Sequence, residues 1–166
     1  MIHLVSGDIL LSQAQVIAHG VAPNDPMTHG LSLAIHQRFP AMHKEFHHWC
    51  NHSHAKPGEA WLWSSIGSRS GVRIVNLLTQ EPALNHSHHV GRATLKHVRD
   101  ALKTLRKMID KEGFASIALP RLATGVGGLE WTAVEPLIHE QLGDVEIPIY
   151  VYADFHPGQK AKEPSD

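Results

Sequence analysis

The sequence predicts an α/β fold: a mixed sheet of about six strands with helices packed on both faces. Three observations carry this. Apolar runs of strand length alternate along the chain with stretches of helical spacing. A glycine-rich loop, Thr124 to Gly128, separates the run Ile117–Leu119 from a helical pattern after Trp131. Two strand-like runs, Glu59–Trp63 and Arg73–Leu78, are neighbours joined by the loop Gly67–Gly71, so the sheet is mixed rather than all parallel.

Taken in order, Ile2 to Val5 reads as a strand ended by Gly7-Asp8, and Gln15 to His19 as a second. Pro23 to Pro26 is loop chemistry. Thr28 is the expected N-cap of a helix carrying Leu31, Ala34, Ile35 and Phe39. Pro40 breaks or restarts it, and a further helix runs through Phe46 to Trp49. After the strands at 59–63 and 73–78 comes a polar, His-rich loop from Gln80 to Gly91. Leu95, Val98, Leu102, Leu105 and Ile109 then draw one long apolar stripe, closed by Gly113. The strand at 117–119, a helix over 132–142 and a strand from Ile147 to Tyr152 complete one domain, residues 1–155. Residues 156–166 are polar, with two Pro and one Gly, and are expected to be a disordered tail.

With 166 residues the chain can bury a real core, and 42% hydrophobic with 19% charged residues suits a globular protein. A formal net charge of −1 gives no whole-chain footprint for nucleic acid or an anionic membrane. The single Cys50 excludes an internal disulfide framework and fits a reducing compartment. No cationic leader and no membrane-length apolar run are read, so a cytoplasmic location is expected.

The 15 histidines cluster as His47, His48, His52 and His54 near Cys50 and as His86, His88 and His89. They are either a metal site or a solvated His-rich surface. His48 and His52 share helical i, i+4 spacing, but nothing else enforces the convergence of a second ligand pair, so no metal and no cofactor are expected. The loop at 124–128 carries more chemistry. Pro120 lacks an N–H, and the glycines let a ligand approach the backbone. A strand, a glycine loop and a helix start form the arrangement that binds phosphate through amides and the helix dipole.

Four motifs carry a resemblance: Gly7-Asp8-Ile9, Ala18-His19, Met27 to Gly30, and the block Pro120 to Trp131. On these residues the chain resembles a macrodomain over residues 2–154, in particular the terminal ADP-ribose protein glycohydrolases and DNA ADP-ribosyl glycohydrolase antitoxins. The resemblance implies a three-layer fold that takes ADP-ribose, free or attached to protein or nucleic acid, in a cleft at the strand ends. It places Asp8 against the adenine amino group and Ile9 beside the base. The pyrophosphate would meet the loop Arg121, Leu122, Ala123, Thr124, Gly125, Val126, Gly127 and Gly128. Ala22 and Gly30 would flank the distal ribose, Ala22 with one hydrogen bond missing. Tyr152 or Phe155 would cover the adenine, Tyr152 being equally a core residue.

Two positions depart from the family pattern. Gln80 stands where the glycohydrolases carry a nucleophilic lysine, and Gly127 where they carry an acid/base aspartate. An amide is a poor nucleophile, so cleavage would need water positioned by Asn24, Asp25 or His29, with Asp25 the carboxylate available to activate it. His29 is either a proton shuttle or a surface residue at a helix start. The rival functions are a non-catalytic ADP-ribose reader and a hydrolase or sequestering protein for a free ADP-ribose metabolite.

Overall fold

The computed structural model describes residues 1–65, 71–83 and 90–165. Residues 66–70, most of the expected 67–71 loop, lie outside the described residues, as do His86, His88 and His89.

Six strands form one sheet: β1 (Ile2–Gly7), β2 (Val16–Val21), β3 (Ala60–Ser64), β4 (Arg73–Leu78), β5 (Ile117–Pro120) and β6 (Ile149–Phe155), in the order β1-β6-β5-β2-β4-β3. All neighbours are parallel except β3, which runs antiparallel to β4. Four helices cover it: α1 (Gly30–Arg38), α2 (Pro40–Ser53), α3 (Leu95–Glu112) and α4 (Trp131–Leu142). The mixed α/β expectation holds. Pro120 still pairs in register with Tyr152, because a parallel strand's last residue can lack a donor.

The strands' period of two divides the core. Val16, Ala18, Val75 and Leu77 face α3 and α4, which supply Val98, Leu102, Leu105, Val134 and Ile138. Ile17, Val21, Ile74 and Leu78 join the opposite cluster, where α1 and α2 bring Ile35, Met42 and Phe46. His19 and Asn76 are register partners across β2 and β4 and share that second face.

Local chemistry fixes the ends. Thr94 caps α3 by accepting from His97 N–H at 3.0 Å, and Gly113, at φ 66°, ends it. At α1 the N-cap is His29, not Thr28, with no side-chain cap bond. A 3-10 turn at Ile9–Leu11, not anticipated from sequence, follows β1.

The expectation of a disordered tail does not describe residues 156–165. They fold back over the end of β1, with Tyr150 donating its hydroxyl to Pro164 O at 2.5 Å and Tyr152 to Glu163 Oε2 at 2.8 Å. Poor apolar content does not prevent ordering where polar groups find partners. Among the described residues no helix is long and apolar enough to cross a membrane.

Candidate functional site

The cleft lies at the carboxyl ends of β2 and β5, where ligands of open α/β sheets sit. Its cavity measures about 300 Å³. One wall is Asp25 to Ser32 with His19 and Gly20; the other is Pro120 to Ala123 with Gly125 to Gly127; Gln80 and Val90 close it.

The 121–128 wall is built from backbone. Ala123 at φ 61° and Gly128 at φ 78° bend the chain out and back. Gly128 N–H closes on Gly125 O at 3.1 Å, Leu129 N–H on Ala123 O at 3.0 Å, and Thr124 Oγ1 donates to Arg121 O at 2.9 Å. A Cβ added at Gly125 would meet nothing within 4 Å, so this position opens outward. Gly127 is the reverse: a Cβ there would lie 2.6 Å from Ala123 O, so the loop in this shape admits no side chain at 127. The Arg121 guanidinium sits over the Trp131 ring at 5.5 Å and 3.8 Å from Asp154 Oδ1, which aims its charge along the rim.

The other wall is built from side chains. Asp25 is buried, and its carboxylate staples the loop: Oδ2 accepts from Ala22 N–H at 2.9 Å and Oδ1 from Met27 N–H at 2.8 Å. Both oxygens are committed to loop geometry, so a base role for Asp25 is not what this arrangement favours. Its carbonyl accepts from His43 Nε2 at 3.2 Å and His47 Nε2 at 3.1 Å. Beneath the loop, His19 Nε2–H donates to Asn76 Oδ1 at 2.6 Å, which leaves Nδ1 to accept from Ser32 Oγ–H at 3.3 Å. Burial pushes the His19 imidazole down to about 4, against the opposing pull of Asn76 and the Asp25 charge, so it stays neutral near pH 7. Burial, and then repulsion from His36, also lowers His43.

Of the residues singled out from sequence, the cavity wall brings together Asp25, His29, Gly30, Arg121, Leu122, Ala123, Gly125, Val126 and Gly127. Asn24 is exposed at φ 55° in the preceding turn, outside the lining, and Thr124 and Gly128 shape the loop from behind. Ala22 is fully buried and meets Asp25 through its backbone, its N–H donating to Oδ2 and its carbonyl accepting from the Asp25 N–H at 3.1 Å. Ile9 is a core residue. Tyr152 belongs to the core, and burial raises its phenol, whereas Phe155 is 63% exposed at the end of β6. Asp8 caps the 3-10 turn through Oδ1, accepting from Leu10 N–H at 3.0 Å, while Oδ2 accepts from Gly158 N–H at 2.9 Å. Gln80 is buried, with Nε2 donating to Gly91 O at 3.2 Å. His19, Ser32 and Asn76 were missed as site residues; the register of β2 against β4 joins His19 to Asn76, and the packing of α1 brings Ser32 to His19. Among the described residues no three His, Cys, Asp or Glu form a group that could hold a metal ion.

A sheet whose cleft opens at its strand ends, walled by a backbone loop that leads into a helix, defines an open α/β ligand-binding domain. The chain belongs to the Macro domain family, whose profile matches residues 15–138. It is 28% identical over 158 residues to a DNA ADP-ribosyl transferase–DNA ADP-ribosyl glycohydrolase fusion protein of Thermosipho africanus, covering 90% of this chain and 41% of that one. Among solved structures, Thermosipho africanus DarTG in complex with ADP-ribose superposes with TM-score 0.81 at 25% identity, covering 96% of this chain and 42% of that chain. The macrodomain of Mycobacterium tuberculosis DarG superposes with TM-score 0.76 at 28% identity, covering 90% and 97%. The chain spans about two fifths of the length of the curated DNA ADP-ribosyl glycohydrolases it matches.

Proposed function

We propose that this macrodomain binds ADP-ribose or an ADP-ribosyl group and removes that group from its acceptor without a lysine nucleophile. The carrying observation is the 121–128 loop, whose side-chain-free face at Gly125 opens on the cleft and suits a diphosphate held by amides. The distal ribose would enter the pocket between Asp25 and Ser32. The similarity to a protein solved with ADP-ribose supports the ligand, and similarity to proteins named DNA ADP-ribosyl glycohydrolases supports a nucleic-acid acceptor. In the reaction water adds to the anomeric carbon, the bond to the acceptor breaks with its electron pair, and the acceptor takes up a water proton. In this reading His29, which lines the cleft, steers that water, and Asp25 holds the loop that carries His29.

Titration calorimetry with ADP-ribose tests the reading. Wild type binds, and Gly125→Glu abolishes binding, because a carboxylate fills the phosphate space. Unchanged affinity in that variant rejects the loop assignment. Asp25→Ala lowers affinity and turnover together, since the loop loses both of its staples. If instead affinity is retained while turnover falls by roughly 10²–10⁴-fold, Asp25 activates water directly. A second reading, a reader without turnover, is favoured by Gln80 being tied to Gly91 O and by the closed position at Gly127. It stands if ADP-ribose binds but none is released from modified protein or DNA.

A further inference from the structure

After β6 the chain crosses the end of β1. His156 N–H donates to Gly7 O and Gln159 N–H to His156 O, both at 3.1 Å, with Gly158 at φ 73° making the turn. Two backbone groups then meet Asp8: Gly158 N–H donates to its Oδ2 at 2.9 Å, and Gln159 O accepts from its N–H at 2.7 Å. Ala161 follows so closely over Gly7 that a Cβ there would lie 2.7 Å from Ala161 N. Glu163 pins the far side. Its Oε2 accepts from Ser12 Oγ–H at 2.5 Å and from the Tyr152 hydroxyl at 2.8 Å, and its Oε1 from Gln13 N–H at 2.9 Å.

We propose that residues 156–164 are an autoinhibitory strap, which occupies the place of a purine base at Asp8 and yields to a ligand that carries one. This rests on the ADP-ribose reading above. A purine's exocyclic amine is a neutral N–H donor that needs an acceptor, and a carboxylate oxygen supplies one. Asp8 Oδ1 already serves the 3-10 turn, and the Gly158 amide supplies Oδ2 with the same kind of donor an amine would be. The cavity agrees: its walls run over residues 19–32 and 120–127 and include neither Asp8 nor Ile9. At about 300 Å³ it is at the small end of ligand pockets, room for the ribose-phosphate end of a ligand. The strap is suited to opening, because polar contacts hold it and Ala161 is its one described apolar side chain packed against the core. A ligand with a base displaces it; a ligand without one does not.

The experiment compares the wild-type chain of residues 1–166 with Glu163→Ala, which removes the pin, and Gly158→Pro, which removes the amide donor and cannot adopt φ 73°. Each is titrated with ADP-ribose and with ribose 5-phosphate. A strap closed about nine-tenths of the time weakens apparent ADP-ribose affinity about tenfold. Both variants therefore bind ADP-ribose about tenfold tighter than wild type, with ribose 5-phosphate unchanged. In wild type, hydrogen exchange at the Gly158 amide is slow and accelerates when ADP-ribose is added. Equal or weaker ADP-ribose binding by both variants, or a Gly158 amide that ADP-ribose protects further, overturns the strap while leaving the ADP-ribose reading intact. Failure of every form to bind either compound overturns that reading and the strap with it.

Discussion

The two faces of the sheet are packed by different chemistry. Toward α3 and α4 the buried cluster is aliphatic but for Phe114. Toward α1 and α2 it holds Met27, Met42, Phe46, Cys50, Trp63, Tyr150 and Tyr152, with His19, Asn76 and Asp25 buried nearby. The first face takes five buried residues from α3, Val98, Ala101, Leu102, Leu105 and Ile109. On the second, α1 buries only Ile35, because its first turn lines the cleft. One face is a scaffold. The other accepts polar groups into the interior and satisfies them pairwise, His19 with Asn76 and Asp25 with the loop amides.

The largest test of that division is Leu102→Ala. A fully buried leucine lost from the aliphatic face costs roughly 2–5 kcal/mol of unfolding free energy, read by denaturant titration. ADP-ribose affinity of the folded protein stays at the wild-type value. A matching loss of affinity would show that the scaffold face also shapes the cleft.

Acid should strike the other face. The folded His19 titrates near 4 and the unfolded one near 6.5. Between those values the unfolded chain holds the extra proton, so the neutral imidazole's contribution is complete above pH 6.5 and is lost as pH falls toward 4. The span corresponds to about 3 kcal/mol. Unfolding curves at pH 7 and pH 4.5 should therefore converge for wild type and His19→Gln, while Leu102→Ala keeps a constant offset from wild type. A pH-independent gap between wild type and His19→Gln would contradict the buried neutral histidine. The smallest effect belongs to Thr94→Ala, which removes the α3 cap and lowers stability by about 1 kcal/mol with no change in ligand affinity.

The same division governs what could be read from the sequence. The α3 stripe and its Gly113 cap are local patterns; Val98 to Ile109 are buried as read, whereas Leu95, read into the same stripe, is exposed in the first turn. The 121–128 loop was legible because glycine and proline report backbone shape directly. The His19–Asn76 contact was not, since its partners are 57 residues apart and meet only through parallel pairing. Asp25 was visible as a carboxylate but not as a staple, because its partners are amides, which have no sequence signature. Residues 156–165 were misread for a related reason: composition reports apolar burial, and this segment is held by hydrogen bonds to Asp8, Ser12 and Gln13.

The closed position at Gly127 bears on how this chain can change over generations. The carbonyl that blocks a side chain belongs to Ala123, fixed at φ 61° and held by Leu129 N–H at 3.0 Å. An acidic residue at 127 therefore cannot be accommodated by a single replacement. The Ala123 carbonyl must first be re-aimed, which requires a compensating change elsewhere in the loop. Descendants of this sequence reach a carboxylate at 127 only through coupled substitutions, and a graft of that single residue into this chain will report strain before it reports chemistry.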